Sequence, residues 1–373
     1  MKHICHIIPS LDPESGGPAQ AIHHFINATA HLHKHEIFTT NEGISSIETE
    51  LSVRKKSKAE ISFFNYSGTH SYKWSGELWQ HLKRNANQIH LMHIHAGFSF
   101  ISMLTARFCR KNNIPYIYRP LGVFSEYSLS QGNQIMKKTF LPLEIKNLAG
   151  ACAVHVTSHQ EKRDIEALGI SGEIISVIPI PLNVSENLQE NTKPHHPVRL
   201  GFLSRIHPKK NIETLLEACG EFRYGDFVLK MAGNGNQDYI QKLKEQSEQI
   251  GISVDWTGFI NKEKKTAFWE DIDWLILPSL HENYGIVVAE ALSKGVPVII
   301  SDQVEICDLF NGDEVGFITG TDSASLVTAL EKVLLMKSGD YLQLSKTAFN
   351  WSKSTVSYSA VETQLNALYQ HCD

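Results

Sequence analysis

The sequence predicts an α/β protein made of two doubly wound domains, each a parallel sheet covered by helices. Three observations carry this. Short β-branched runs alternate with helix-period segments along the whole chain, the pattern of strand–helix–strand units. The series runs through twice, broken near residue 192 by a polar, proline-rich stretch, Asn191-Thr192-Lys193-Pro194-His195-His196-Pro197, that reads as a linker. The length, 373 residues, exceeds one ordinary core, so two domains of roughly 150–200 residues are expected.

In the first domain, residues 1–192, Ile4–Ile8, Ile89–Ile94, Tyr116–Tyr118, Ala153–Val156 and Ile174–Ile178 read as strands. Ala21, Phe25, Ala28 and Leu32 recur at helical spacing, and residues 99–111 and 159–168 also read as helices. In the second, residues 198–355, strands are expected at Val198–Leu203, Phe227–Ala232, Ser253–Trp256, Trp274–Leu277 and Val298–Ile300. Helices such as Ile212–Cys219 and Tyr239–Gln249 lie between them. A last amphipathic helix, about Val356 to Gln370 within residues 356–373, is expected to pack back on the first domain. Two such domains facing each other leave a cleft at the carboxyl ends of their sheets, where such sheets take ligands.

With 42 % hydrophobic and 20 % charged residues the chain is globular, not disordered. No apolar run reaches the ~20 residues of a membrane span. The run Ile4–Ile8 stops at Pro9, so the start reads as a strand rather than a signal peptide. Cys5, Cys109, Cys152, Cys219, Cys307 and Cys372 show no metal or redox spacing, which points to a reduced cytoplasmic protein with buried thiols. Among the nineteen histidines no metal-type cluster stands out beyond His93/His95 and His195/His196, and no metal site is expected from them.

The net charge of −5 is unevenly spread. Residues 1–192 carry 18 Lys+Arg against 16 Asp+Glu, and the rest 17 against 24. Residues 51–150 hold 14 basic and 4 acidic side chains, with Phe63, Phe64, Tyr66, Tyr72, Trp74 and Trp79 among them. That stretch is either a set of solvated helix faces or a surface for an anionic membrane or acceptor. No nucleic-acid partner is expected.

The strongest local pattern runs from Leu277 to Leu292: a strand, then Pro278-Ser279-Leu280-His281-Glu282-Asn283-Tyr284-Gly285, then a helix stopped by Gly295 and Pro297. Ile286, Val287, Ala289 and Leu292 are its expected buried face. Amides near Tyr284 to Val287 suit a phosphate. Glu282 and Glu290, being acceptors, suit sugar hydroxyls instead. The plain structural reading makes Glu282 a cap and Glu290 a solvated residue. At the start of the second domain, strand Val198–Leu203 runs into Ser204-Arg205-Ile206-His207-Pro208-Lys209-Lys210-Asn211. Arg205 and Lys210, at a strand's carboxyl end, can neutralise a leaving diphosphate or be solvated loop cations. In the first domain, Gly16-Gly17-Pro18 places Pro18 at the first helical position and Gly17 at the cap, open to a ligand. The turn from Pro9 to Gly17 lacks Gly-x-Gly-x-x-Gly spacing, which argues against a nicotinamide dehydrogenase.

Together these residues resemble the retaining family-four (group 1) glycosyltransferases of GT-B fold, two Rossmann-like domains facing across a cleft. The resemblance is best over residues 198–320: the Arg205…Lys210 loop, Met231-Ala232-Gly233-Asn234-Gly235, Trp256-Thr257-Gly258-Phe259, the glutamate pair, and Gly295-Val296-Pro297-Val298-Ile299. The first domain is similar through Gly16-Gly17-Pro18, His93-Ile94-His95 and Arg119-Pro120-Leu121-Gly122.

The resemblance implies that Arg205 and Lys210 hold the diphosphate. Glu282, with the amides of Asn283, Tyr284 and Gly285, orients the transferred sugar, and Ile286 completes that loop. Glu290 binds the ribose. The backbone near Gly233 and at Gly258, Phe259 and Ile260 lines the base pocket, and Gly17 approaches the donor phosphates. It further implies transfer to a glycan or lipid-linked glycan acceptor, in cell-surface polysaccharide synthesis. Configuration is retained by front-face attack, the leaving phosphate helping to take the acceptor proton. No metal or cofactor is implied beyond the nucleotide diphosphate sugar as co-substrate. The implied location is the cytoplasm, with peripheral contact at the inner membrane face as an option. Two positions depart from the family pattern. Leu121 stands where a histidine often follows the proline, leaving His95 and Arg119 as acceptor-side candidates. Ile180-Pro181-Leu182-Asn183 replaces the usual Asn-Gly. A nucleotide-sugar epimerase of similar fold and a non-catalytic sugar-nucleotide binding subunit are the competing readings.

Overall fold

The computed structural model describes the chain except residues 13–15, 70–71, 189–193, 223–225 and 373, and the side chains of residues 262 and 263. It divides into two compact units, Met1–Asn183 with Ser357–Asp373, and Val184–Val356. The division falls ahead of the 191–197 stretch, whose first three residues lie outside the described residues, as does part of the turn after the first strand.

Unit 1 runs β1 (His3–Ser10), α1 (Gly17–Thr29), β2 (Lys34–Thr40), α2 (Ile47–Arg54), β3 (Glu60–Phe64), β4 (Ser67–Gly68), β5 (Lys73–Trp74), α3 (Gly76–Asn85), β6 (Leu91–His95), α4 (Phe100–Lys111), β7 (Tyr116–Arg119), α5 (Glu126–Ser130), α6 (Gln134–Ala149), β8 (Ala153–Val156), α7 (His159–Glu166) and β9 (Ile175–Val177). Seven strands form one parallel sheet in the order β3-β2-β1-β6-β7-β8-β9, and β4 pairs with β5 separately. Strands β2 and β3 were absent from the sequence expectation. Both open on charged residues, Lys34 and Glu60, and neither shows the continuous apolar run of a fully buried strand.

Side-chain alternation splits the core in two. Ile7, Met92, Ile94, Tyr116 and Val154 face one way, against apolar residues of α3, α4 and α6. Ile8, Ile37 and Ile61 face the other way, against α1 and α2. Helix α1 begins at Gly17, and its cap is Gly16 (φ 78°), one residue earlier than the sequence suggested. A left-handed φ favours glycine there, and Pro18 then has its φ already set for the first turn.

Unit 2 runs β10 (Val198–Leu203), α8 (Ile212–Gly220), β11 (Phe227–Ala232), α9 (Gln237–Ile250), β12 (Val254–Gly258), α10 (Lys262–Glu270), β13 (Trp274–Leu277), α11 (Ile286–Leu292), β14 (Val298–Ser301), β15 (Gly316–Thr319), α12 (Ser323–Leu334) and α13 (Ser338–Thr355). Its six strands are all parallel, in the order β12-β11-β10-β13-β14-β15. The direction of winding reverses between β10 and β13. Ligands of such sheets sit at the carboxyl ends of the strands flanking that reversal. In unit 1 the corresponding strands are β1 and β6.

The last helix, α14 (Tyr358–His371), belongs to unit 1 and lies on α1. The Tyr358 N–H donates to the Leu182 carbonyl at 3.0 Å, and the Lys2 ammonium donates to the Tyr369 carbonyl. Cys372, just past α14, forms a disulfide with Cys152 beside β8, with Cα atoms 5.5 Å apart. This corrects the expectation of six reduced thiols. Cys5, Cys109, Cys219 and Cys307 are free. The bonded pair is 220 residues apart in sequence, so no spacing rule could reveal it. His195 Nδ1 sits 2.8 Å from Asp273 Oδ1, which accounts for one member of the second histidine pair.

Candidate functional site

The loops after β10 and β13 meet at the winding reversal of unit 2. The Leu280 N–H donates to the Lys209 carbonyl at 2.9 Å, tying one loop to the other. The Lys210 ammonium pairs with Glu282 Oε2, their side chains only 12 % and 25 % exposed. Glu282 is held from behind by backbone: its N–H donates to the Gln303 carbonyl at 2.9 Å, and its carbonyl accepts from Glu305 N–H at 3.0 Å. Glu282 thus lies in the loop, locked to the strand-like segment at Val304, and is not a helix cap.

Helix α11 starts at Ile286, with Gly285 left-handed (φ 74°) at its cap. A Cβ on Gly285 would stand 2.9 Å from Val304 Cγ1, so both conformation and space require glycine. Its buried residues are Val287, Val288, Ala289, Ala291 and Leu292. Val288 replaces the expected Ile286, which is half-buried. Asn283 is half-buried and Tyr284 buried. Glu290 pairs with Lys265 at 2.6 Å, with the glutamate side chain 18 % exposed. So both glutamates meet a lysine, and neither is merely solvated.

The neighbouring loop shows why two further glycines are needed. The Ile206 N–H donates to the Asn234 carbonyl at 2.7 Å, and Ser204 N–H to Ala232 at 3.2 Å. A Cβ on Gly233 would lie 1.9 Å from the Ser204 oxygen, and one on Gly235 would lie 2.0 Å from the Ile206 oxygen. Gly233 N–H in turn donates to the Gly258 carbonyl at 2.8 Å. Three loops are therefore stitched by backbone at the carboxyl edge. Gly258 is left-handed (φ 69°) with open space beside it, Phe259 is exposed and Ile260 half-buried. Arg205 is exposed and makes no ion pair among the described residues.

Sequence reasoning missed Lys209, His281 and Lys265. Lys209 lies within electrostatic reach of Glu282, Lys210, Glu305 and Arg205, and burial lowers its pKa. Burial, with Lys209 adding to it, pushes His281 down to about 4, so it is neutral at pH 7. A second lysine beside Lys210 was the only available signal for Lys209. Nothing local marks Lys265, whose partner lies 25 residues away.

In unit 1, Gly17 opens α1, and a Cβ there would meet nothing within 4 Å. The structure places His95 and Arg119 differently from a surface pair: both are buried, at 0 % and 2 % exposure. Register pairs them at the ends of β6 and β7. His95 closes a chain of imidazoles whose tautomers can be assigned. Thr29 Oγ1 donates to the Phe25 carbonyl, so it must accept from His35 Nε2 at 3.1 Å. His6 Nε2 then donates to His35 Nδ1 at 3.0 Å, and His95 Nε2 to His6 Nδ1 at 3.1 Å. His95 Nδ1 is left without a hydrogen-bond partner. Burial holds His6 and His95 well below the usual imidazole range and takes His35 to about 4, so this core is neutral.

Beyond His95 the backbone is strained. Ala96, Phe98 and Leu121 are left-handed without being glycine, with φ of 72°, 52° and 68°. Two buried glutamates hold these turns: Glu144 accepts from Phe98 N–H and from the Tyr118 hydroxyl, and Glu161 accepts from Gly122 N–H at 2.6 Å. The position where the family places a histidine is thus a built turn, with Leu121 half-buried.

Residues 15–186 match the model of Glycosyltransferase Family 4, and residues 183–351 match that of glycosyl transferases group 1. An uncharacterized 41.2 kDa protein in the cps region of Klebsiella pneumoniae is 22 % identical over 256 residues, 65 % of this chain and 69 % of that protein. The alpha-monoglucosyldiacylglycerol synthase of Streptococcus pneumoniae is 33 % identical over 99 residues, 26 % of this chain and 22 % of the synthase. Among solved structures, Anabaena HepE in complex with UDP and glucose superposes with a TM-score of 0.76 at 15 % identity, covering 98 % of this chain and 99 % of that one, a likeness of fold. With one family model on each half and a two-sheet architecture shared along its length, the chain belongs to the group 1 glycosyltransferases of GT-B fold.

Proposed function

We propose that this enzyme moves a sugar from a nucleotide diphosphate sugar to a glycan or lipid-linked glycan acceptor with retention of anomeric configuration, in the assembly of a cell-surface polysaccharide. The observation that carries the reading is the Lys210–Glu282 pair at the winding reversal of the unit 2 sheet. In this reading Lys210 and the exposed Arg205 neutralise the charge that grows on the diphosphate as the glycosidic bond breaks. Glu282, fixed by two backbone hydrogen bonds, accepts from hydroxyls of the transferred sugar. Glu290, oriented by Lys265, takes the ribose hydroxyls. The stitched backbone at Gly233 and Gly258, with Phe259 and Ile260, lines the base pocket. The lysines and arginine do the work that a metal ion does elsewhere, so transfer should survive a chelator. The leaving phosphate helps take the acceptor proton. His95 and Arg119, buried at the ends of β6 and β7, stand behind the turns that Glu144 and Glu161 hold and do not meet an acceptor directly.

The relatives support this reading from their side: HepE is seen with UDP and glucose, and one relative is encoded in a cps region. Among the described residues no helix is long and apolar enough to cross a membrane. Contact with an anionic membrane therefore rests on the basic stretch 51–150 alone. The test is a thermal-shift panel of nucleoside diphosphates and their sugars. A ligand at a hundred times its Kd should add about 2.7 kcal/mol of apparent stability. The selected donor should then be transferred by the wild type and not by Glu282→Gln. Product released from the donor with no acceptor present, and epimerised, would overturn the transferase reading.

A further inference from the structure

Among the described residues, unit 1 holds two groups of metal-ligating side chains, and they differ in what they can hold. His6, His93 and His95 are sealed in the core and include no anionic ligand. The Arg119 guanidinium acts on both His93 and His95. A dication there would add to a buried positive charge, and the three histidines bring no negative charge to offset it. Their nitrogens are also engaged, His6 with His35 and His95, and His93 Nε2 with His155 at 3.3 Å. That trio is a hydrogen-bonded core.

The second group stands on the opposite face of the same sheet, at its amino edge, away from Gly17. His3 and Cys5 are alternate residues of β1 and share a face. Glu36 is the register partner of Cys5 on β2. His3 Nε2 lies 3.3 Å from Glu36 Oε2 and 3.9 Å from Cys5 Sγ. All three ligand atoms lie within 4.8 Å of one another. Tetrahedral zinc, with bonds of about 2.1 Å to N and O and about 2.3 Å to S, sets these separations at about 3.4 Å for N···O and about 3.6 Å for N···S. The two separations that involve His3 are thus within a few tenths of an ångström of those values, and the third, between Cys5 and Glu36, is within 4.8 Å. A thiolate and a carboxylate cancel the charge of a dication. His3 and Glu36 side chains are 25 % and 19 % exposed, giving a cation a way in and a water the fourth position, while Cys5 is buried.

We propose that His3, Cys5 and Glu36 bind one zinc-class divalent cation that ties β1 to β2 at the amino edge of the unit 1 sheet. The site is structural and separate from the transfer reaction, so the two readings stand or fall independently. A surface ion pair would need only His3 and Glu36; the thiol as third ligand is what the test must see.

The full chain, freed of metal by a chelator, is titrated with Co²⁺ and read by absorption. Expected is saturation at one cation per chain, with a thiolate-to-cobalt charge-transfer band in the near ultraviolet and the intense visible bands of tetrahedral cobalt. Cys5→Ser should lose the charge-transfer band. His3→Gln and Glu36→Gln, both partly exposed and expected to fold, should keep it but bind at least about tenfold more weakly. Zn²⁺ should displace cobalt and, at equal concentration, raise the Tm of the wild type more than that of His3→Gln. Cobalt bound without that band, a band that persists in Cys5→Ser, or no saturable binding would each overturn the proposal.

Discussion

Lysine 210 offers the sharpest test of how the donor site works, because its ion pair with Glu282 admits two explanations. Either the lysine serves a diphosphate, or it only neutralises a glutamate that is three-quarters buried. The variants Lys210→Ala, Glu282→Gln and the double variant separate them. A charge-assisted hydrogen bond to phosphate contributes about 1.5–3 kcal/mol, so Lys210→Ala should weaken nucleoside diphosphate binding about tenfold to 150-fold. The lost ion pair should also lower stability, by an amount between that of an exposed pair and a fully buried one, about 1–2 kcal/mol. Neutralising Glu282 in the double variant should recover most of that stability, since no buried carboxylate is then left alone. It should not recover nucleotide affinity, since the cation is still missing. Calorimetric titration gives the affinities, and denaturant unfolding gives the stabilities. Nucleotide affinity unchanged in Lys210→Ala, or restored in the double variant, would refute the assignment of Lys210 to the diphosphate.

The stitched loops predict a contrast between two glycines. Gly233→Ala forces a Cβ to within 1.9 Å of the Ser204 oxygen and should cost at least about 3 kcal/mol, whereas Gly258→Ala meets open space and should cost only the left-handed backbone penalty of about 1–2 kcal/mol; thermal unfolding of the two side by side checks this. The neutral histidine core predicts acid sensitivity in unit 1. Burial takes His23 and His35 to about 4 and His155 to about 3, so below the unfolded value of 6.5 the unfolded chain binds protons that the folded chain refuses, and stability falls with pH. At pH 5.5 these three groups should together cost about 4 kcal/mol relative to pH 7.5. Glu144 and Glu161, raised by burial, act the other way but are outnumbered. A flat unfolding free energy across that range, by urea titration, would contradict the neutral core. Finally, reducing Cys152–Cys372 opens a closure of 220 residues, for which chain entropy gives an upper value of about 5 kcal/mol. Scanning calorimetry with and without reductant should show the loss in the unit 1 transition, and identical traces would mean that the bond contributes nothing.

Much of this architecture is written locally. The strands at Ile4–Ile8, Trp274–Leu277 and Val298–Ile300 stand out because a parallel strand buried on both faces must be apolar throughout. The segment from Pro278 to Glu290 stands out because turn, glycine and helix follow in a fixed order. The starts of β2 and β3 are charged, which hid those strands, and β15 opens on Gly316 and is not buried throughout as β13 and β14 are. The cap of α1 is displaced by one residue because either of two adjacent glycines satisfies the same local rule.

The sequence by itself therefore determined the alternation of strands and helices, the two-sheet class, and the loops that reach the carboxyl edge. These depend on hydrophobic periodicity and turn chemistry, both of which act over a few residues. The tertiary structure alone decided the partners. Lys210 meets Glu282 across 72 residues, Lys265 meets Glu290, and Cys372 meets Cys152 once α14 has returned to unit 1. Gly233 is required by an oxygen that belongs to Ser204 on another loop. Such pairings follow from strand order and winding direction, which are set by how whole sheets pack, and no window of sequence contains them.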